Sequence, residues 1–177
     1  MIMPAGHQHL LLPVRPWFIW LSLLLALLLD MALNMGLTGR AAWVPELIAV
    51  TLLFWVVHEP QRLSIGTCFV FGLLLDVHQG ALLGQHALAF SVLGFIGNRM
   101  ERRLLWFSAP TQALQLLPPL FAAHALQWLV RLLAGSGWPD WQALLAPLIE
   151  TLLWPLADWL LLAPQRRPHD PDDSRPL

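Results

Sequence analysis

The chain has 177 residues, of which 57% are hydrophobic and only 12% charged, with a formal net charge of −1. Soluble domains run about 45–50% apolar and about 25% charged, so the excess needs another solvent. The net charge points to neither an acidic nor a basic partner, and with no basic patch outside short loops a nucleic-acid-binding reading has no support.

Residues 1–16 are polar and Pro-containing and read as a cytoplasmic N-terminal segment. The first apolar run, residues 17–33, is broken only by Ser22 and Asp30. It is about 26 Å long at helical rise. No small-residue cleavage site follows it, so it reads as a span and not a signal peptide. The second run is residues 43–57, with Pro45 and Glu46 in its opening turn, where a missing N–H costs nothing. The third is 63–77, the fourth 82–97, the fifth 113–134 with Pro118 and Pro119, and the sixth 141–163 with Pro147 and Pro155. Runs two to four are short against the roughly 20 residues a bilayer needs. Extra turns, local thinning, or a dip of the Asp76–Gly84 hairpin below the surface would each make up the difference. Residues 164–177 are polar and Pro-rich and read as a disordered cytoplasmic tail. The expected fold is an all-α integral membrane protein whose domain, residues 17–163, spans six times.

Residue placement fits that layout. The chain has ten Trp and no Tyr, and Trp17, Trp20, Trp43, Trp138 and Trp141 fall near run ends, where indoles meet headgroups. Cys68 is the single cysteine, so it forms no internal disulfide and reads as a small buried hydrophobe. All ten basic residues are Arg. In a six-span layout Arg15, Arg62, Arg99, Arg102, Arg103, Arg166, Arg167 and Arg175 share one side, against Arg40 and Arg131 on the other. The positive-inside rule then puts both termini in the cytoplasm.

Ionisable groups in or beside spans are costly and mark candidate sites. Here they are Asp30, Glu46, Asp76, His86, His124, Arg131, Glu150 and Asp158. Glu150 and Asp158 lie about 80° apart around the sixth helix, with Pro155 between them, so both could face one cavity or Arg131. His124, Gln127 and Arg131 make a polar stripe on the fifth helix. On the fourth, Gly80, Gly84, Ala87, Ser91, Gly94 and Asn98 recur every three or four residues. Such a small-residue face permits close helix approach inside the bundle or docking of another protein. Asp76 ends the third helix, where the macrodipole disfavours a carboxylate. A compensating Arg, or backbone amides of the hairpin that follows, would fix that hairpin as a partner surface.

Enzyme templates fail. There is no Cys/His cluster at zinc spacing, no H-E-x-x-H, no G-x-S-x-G and no Gly-rich phosphate loop. Ser91 and His86 sit five apart on one helix and do not make a nucleophile–base pair. No catalytic residue, cofactor or metal ligand is expected.

The stretch from Glu59 to Arg103 is the most specific. It reads Glu-Pro-Gln-Arg at 59–62, Gly-Leu-Leu-Leu-Asp at 72–76, Gly-Ala-Leu-Leu-Gly-Gln-His-Ala-Leu at 80–88, then Arg99, Arg102 and Arg103. This resembles the rod shape-determining protein MreD family, with its Pro-x-Arg loop, Gly-Leu-Leu-x-Asp and Leu-Gly-x-x-Ala-Leu segments and arginine-bearing cytoplasmic loop. The resemblance covers most of the chain up to Ala163. It implies a non-catalytic inner-membrane scaffold of the bacterial elongation complex that binds MreC. It further implies work with MreB, RodA and its penicillin-binding transpeptidase, and contact with membrane lipid. The residues it singles out as partner or structural candidates are Arg62, Asp76, Gly80, Gly84, His86, Ala87, Arg99, Arg102 and Arg103, beside the small-face Ser91, Gly94 and Asn98. It also implies a fold like the substrate-binding subunits of energy-coupling-factor transporters. The competing function follows from that fold, a vitamin-type transporter subunit with Glu46, His124 or Glu150 lining a pocket.

Overall fold

The computed structural model describes residues 14–34 and 42–165. Residues 1–13, the tail from 166 onward and Arg40 lie outside the described residues, and with them Arg166, Arg167 and Arg175.

Six α-helices account for most of the described chain: α1 (Pro16–Ala32), α2 (Leu47–His58), α3 (Ile65–Gln79), α4 (Gln85–Leu104), α5 (Ala109–Leu133) and α6 (Leu145–Leu162). A 3-10 turn, Trp141–Leu144, leads into α6, and another, Ala163–Gln165, follows it. Two segments, Ala109–Leu133 and Trp141–Gln165, are long and apolar enough to cross a bilayer; α1, α2 and α3 are apolar but shorter.

Local signals explain most boundaries. Pro16 opens α1 where its missing N–H is harmless. Ser64 caps α3, its hydroxyl accepting from the Thr67 amide at 3.3 Å. Gly80 ends α3 in the left-handed region (φ 59°), and Gly84 precedes α4 at φ 98°. L side chains rarely adopt that backbone, so these two glycines make the sharp α3–α4 reversal. The expected small face therefore does not run unbroken through them. It belongs to α4 only from Ala87 onward. The expected cytoplasmic arginine loop is also different: α4 continues to Leu104, so Arg99, Arg102 and Arg103 ride its last turns. Cations there complement the helix dipole.

Successive helices run in opposite directions. One end of the bundle collects the last turns of α1, α3 and α5 and the first turns of α2, α4 and α6. The opposite end carries Arg15, Arg62, Arg99, Arg102 and Arg103, whereas Arg131 lies at the first end.

α2 is the centre. It packs against α1, α4 and α6, and every residue from Ile48 to Val57 except Thr51 is buried. A helix apolar all round is one enclosed all round. That is why α2 can be short: it never has to match a hydrocarbon layer on its own. Trp55 and Trp154 are fully buried, the first donating to Ser22 Oγ at 2.8 Å and the second to Gln112 Oε1 at 3.0 Å.

The perimeter is inverted relative to a soluble protein. Leu28 is 60% exposed, Leu152 77% and Leu133 80%, alongside Trp17, Phe69, Val70, Leu114, Leu156 and Trp159. Meanwhile Asp30, Asp76, Gln85, His86, His124, Gln127 and Glu150 are buried. Lipid rewards that arrangement, and water penalises exposed apolar patches of this extent.

Candidate functional site

The buried polar groups converge on the end of the bundle away from the arginines. They solve a problem that helix geometry creates. The first N–H groups of any helix lack intrahelical partners, and where water is absent each must be met by something else. Asp30, near the end of α1, takes the Leu47 amide on one carboxylate oxygen and the Ile48 amide on the other, both at 2.8 Å. Glu150 of α6 accepts the Glu46 amide at 2.9 Å. The amide of the N-cap residue Glu46 and the first two amides of α2 are thus met by carboxylates of two other helices. This explains why the helix starts at Leu47, leaving Pro45 and Glu46 before it and not in its opening turn.

Asp76 does the same for α4. Its carboxylate accepts from Gly84 N at 2.9 Å, His86 N at 2.9 Å and Ala87 N at 3.3 Å, and from His86 Nδ1 at 2.6 Å. Although Asp76 belongs to the last turn of α3, its charge faces the positive end of α4. The compensating groups are amides of the turn and of α4 itself, with an imidazole; no Arg among the described residues takes part.

His86 then links Asp76 to Glu46, its Nε2 lying 3.2 Å from Glu46 Oε1. The imidazole is held between two carboxyl groups, one from α3 and one from the start of α2. Glu46 Oε2 accepts from Gln127 Nε2 at 3.1 Å. His124, three residues before Gln127, sits with Nε2 2.9 Å from Glu150 Oε1. Arg131 donates from Nε to Gln85 Oε1 at 3.1 Å. The α5 stripe therefore meets a different helix at each step: α6, the start of α2, and α4. Glu150 and Asp158 do not share a cavity: Asp158 lies 3.9 Å from His58 Nε2 towards the other end, and Arg131 pairs with neither.

Above this network is a cavity of about 550 Å³. Glu46, His86, His124, Gln127 and Arg131 line its polar wall, with Trp128 and Trp138 beside them. Glu46, His124 and Glu150 bring one donor atom each to within 4.8 Å of one another, a geometry able to hold a metal ion. Sequence spacing gave no hint of that trio, because its members are separated by as many as 104 residues.

The other sequence candidates divide into two groups. Ala87 packs on α3, with its Cα only 2.5 Å from where a Cβ on Gly72 would lie. Gly94 faces Cys68 of α3, and a Cβ there would meet Sγ at 2.7 Å. Ser91 turns its hydroxyl back to the Ala87 carbonyl at 2.7 Å. Asn98 is exposed near the arginines. Ala87 and Gly94 thus seal the α3–α4 seam. Gly72 belongs to this seam, whereas Gly97 packs against Leu53 and Val56 of α2; the spacing argument passed both over. At the opposite end Arg62 pairs with Glu59 at 3.2 Å, Arg99 lies 5.2 Å over the Phe95 ring, and Arg102 and Arg103 are exposed.

An apolar perimeter around helices tied internally by carboxylate caps defines the class: an all-α bundle of the kind lipid solvent selects. The family profile for the rod shape-determining protein MreD matches residues 13–162. The chain is 32% identical over 154 residues to the rod shape-determining protein MreD of Haemophilus influenzae (strain ATCC 51907 / DSM 11121 / KW20 / Rd), covering 84% of this chain and 90% of that relative. The chain belongs to the MreD family. No solved structure matches it.

Proposed function

We propose that this protein is a non-catalytic scaffold subunit of the bacterial elongation machinery. It crosses the inner membrane six times with both termini in the cytoplasm, binds MreC, and with MreB, RodA and its transpeptidase directs lateral peptidoglycan synthesis and maintains rod shape. The observation that carries the reading is the family match across the whole bundle, residues 13–162. The apolar perimeter and the five arginines at one end support the membrane setting and the orientation. With most of its described residues in helices, the protein meets partners through helix faces and short connections. The α3–α4 turn, fixed by Asp76 and bearing the 74%-exposed Leu83, is one such surface, and the end of α4 at Arg102 and Arg103 is another.

The test is affinity purification of the tagged protein from native membranes in mild detergent, with mass spectrometry of what accompanies it. Co-purification of MreC and the RodA–transpeptidase pair is expected, and Leu83→Glu should reduce MreC recovery without lowering the protein's own yield. A second reading, a substrate-binding subunit of a small-molecule transporter, draws on the 550 Å³ polar cavity. Recovery of an ATPase module and a coupling subunit in place of MreC would establish that reading and refute the first.

A further inference from the structure

The polar network leaves one atom unaccounted for. Of the four carboxylate oxygens of Glu46 and Glu150, three are engaged: Glu46 Oε1 by His86, Glu46 Oε2 by Gln127, and Glu150 Oε1 by both His124 and the Glu46 amide. Glu150 Oε2 is buried with no hydrogen-bond partner, on a side chain with 0% exposure. An orphaned oxygen on a carboxyl group in such a place is costly, and it calls for a ligand.

The other two acids are already compensated. Asp30 and Asp76 each receive helix-start amides, and Asp76 also receives an imidazole. Glu46 and Glu150 face each other across a short gap with His124 between them, and Glu46 and His124 line the cavity. Their donor atoms all lie within 4.8 Å. Metal–ligand bonds of about 2.0–2.2 Å place neighbouring ligand atoms roughly 3–3.5 Å apart, so side-chain shifts of under about 1 Å would close the trio on an ion.

We propose that Glu46, His124 and Glu150 form a binding site for a divalent transition-metal cation at the floor of the cavity. Zn²⁺ is the best-fitting probe. One imidazole and two carboxylates supply nitrogen and oxygen donors that Zn²⁺ accepts, and three protein ligands leave a fourth position open for water. Ca²⁺ is disfavoured, because it requires six to eight oxygens. The outer shell is also built. His86 and Gln127 orient the Glu46 carboxyl, and Asp76 holds His86 in turn. Supports of this kind fix ligating carboxylates and imidazoles in metal sites. The ion joins the start of α2 to α5 and α6, three elements distant in sequence. The proposal does not depend on which partners the protein has in the cell.

The experiment uses the full chain, carrying a streptavidin-binding tag and no added histidines, purified in detergent and stripped with chelator. It is loaded with Zn²⁺, desalted and analysed for metal by mass spectrometry, and separately loaded with Co²⁺ for visible absorption. About one Zn²⁺ per chain is expected, with a Co²⁺ ligand-field band that Ca²⁺ in about 100-fold excess does not abolish. Glu150→Gln and His124→Gln should each remove the bound metal, and Gln127→Leu should weaken binding by about 10–100-fold. His7→Ala/His9→Ala, which alters the two histidines near the N-terminus, should leave the stoichiometry unchanged. Retention below about 0.1 Zn²⁺ per chain overturns the proposal. So does a stoichiometry that survives both Glu150→Gln and His124→Gln, or one that disappears with His7→Ala/His9→Ala. Should the ligand variants fail to fold, absence of the Co²⁺ band in the unaltered chain overturns it alone.

Discussion

Replacing Gly72 with Ala adds one methyl group where, of the described glycines, the backbone of a neighbouring helix comes closest. Its Cβ would lie 2.5 Å from Ala87 Cα and 2.6 Å from both Ala87 N and His86 O. Non-bonded carbons settle at about 3.5–4.0 Å, so the helices must part by roughly 1 Å. All three obstructing atoms are backbone, and no rotamer change relieves them. Overpacking of this kind costs about 1–3 kcal/mol. The displacement has a second effect, because Gly72 stands one turn before Asp76. A shift of that size carries the Asp76 carboxylate out of hydrogen-bond range of Gly84, His86 and Ala87, now 2.9–3.3 Å away. Losing charge-assisted bonds adds about 1.5–3 kcal/mol. The combined destabilisation, about 4 kcal/mol, should lower the melting temperature by on the order of 10 °C. The ten Trp residues make thermal melting by intrinsic fluorescence in detergent a direct assay. Gly66→Ala, on the same helix but with only Ser64 Oγ at 3.5 Å, is the control and should be neutral or slightly stabilising. If Gly72→Ala melts within about 2 °C of that control, the reasoning about the α3–α4 seam is wrong.

Gly94→Ala strikes only the Cys68 sulfur, so it should cost about 1–2 kcal/mol, and adding Cys68→Ala should recover most of it. Melting of the two single variants and the double will show a coupling of at least about 0.5 kcal/mol, and strict additivity would count against direct contact. Asp30→Ala strips the Leu47 and Ile48 amides of their partners. It should cost about 3 kcal/mol, with hydrogen exchange at those two amides accelerating more than elsewhere in α2; uniform exchange rates would exclude the capping role. Trp154→Phe orphans Gln112 Oε1 and should cost about 1–3 kcal/mol in the same melting assay. Adding Gln112→Leu should restore part of that loss; no recovery would mean the Trp154–Gln112 bond carries no stability.

The helices were legible because each apolar run is bounded by Pro, Gly or charge, and the observed elements sit within a few residues of the runs. Two boundaries departed from expectation for identifiable reasons. The start of α2 is set by Asp30 and Glu150, which are neighbours only in the folded bundle, and α4 runs past Gly97 because Asn98 to Leu104 contains nothing that breaks a helix. The individual ionisable residues were visible as costly groups, and the α5 stripe was visible as a stripe. Their partners were not, because Glu46 with His86, or His124 with Glu150, obey no short-range spacing. The α4 small face misled at Gly80 and Gly84, where the glycines serve a turn, while Gly72 on the facing helix carried the closest approach.

The enclosure of α2 also sets a schedule for biogenesis. Its side chains find their last neighbours on α6, where Trp154 packs 5.7 Å from the Phe54 ring centroid. Nearly a hundred residues of chain separate Val57 from that tryptophan, and at about 5–20 residues per second their synthesis takes roughly 5–20 s. Throughout that interval α2 has only α1, and then α4, to pack against; it lacks its α6 neighbours, and the Glu150 carboxylate that accepts the Glu46 amide is not yet made. A chain that ends before α6 therefore leaves one face of α2 and one amide at its start open, and that open face distinguishes an incomplete bundle from a complete one.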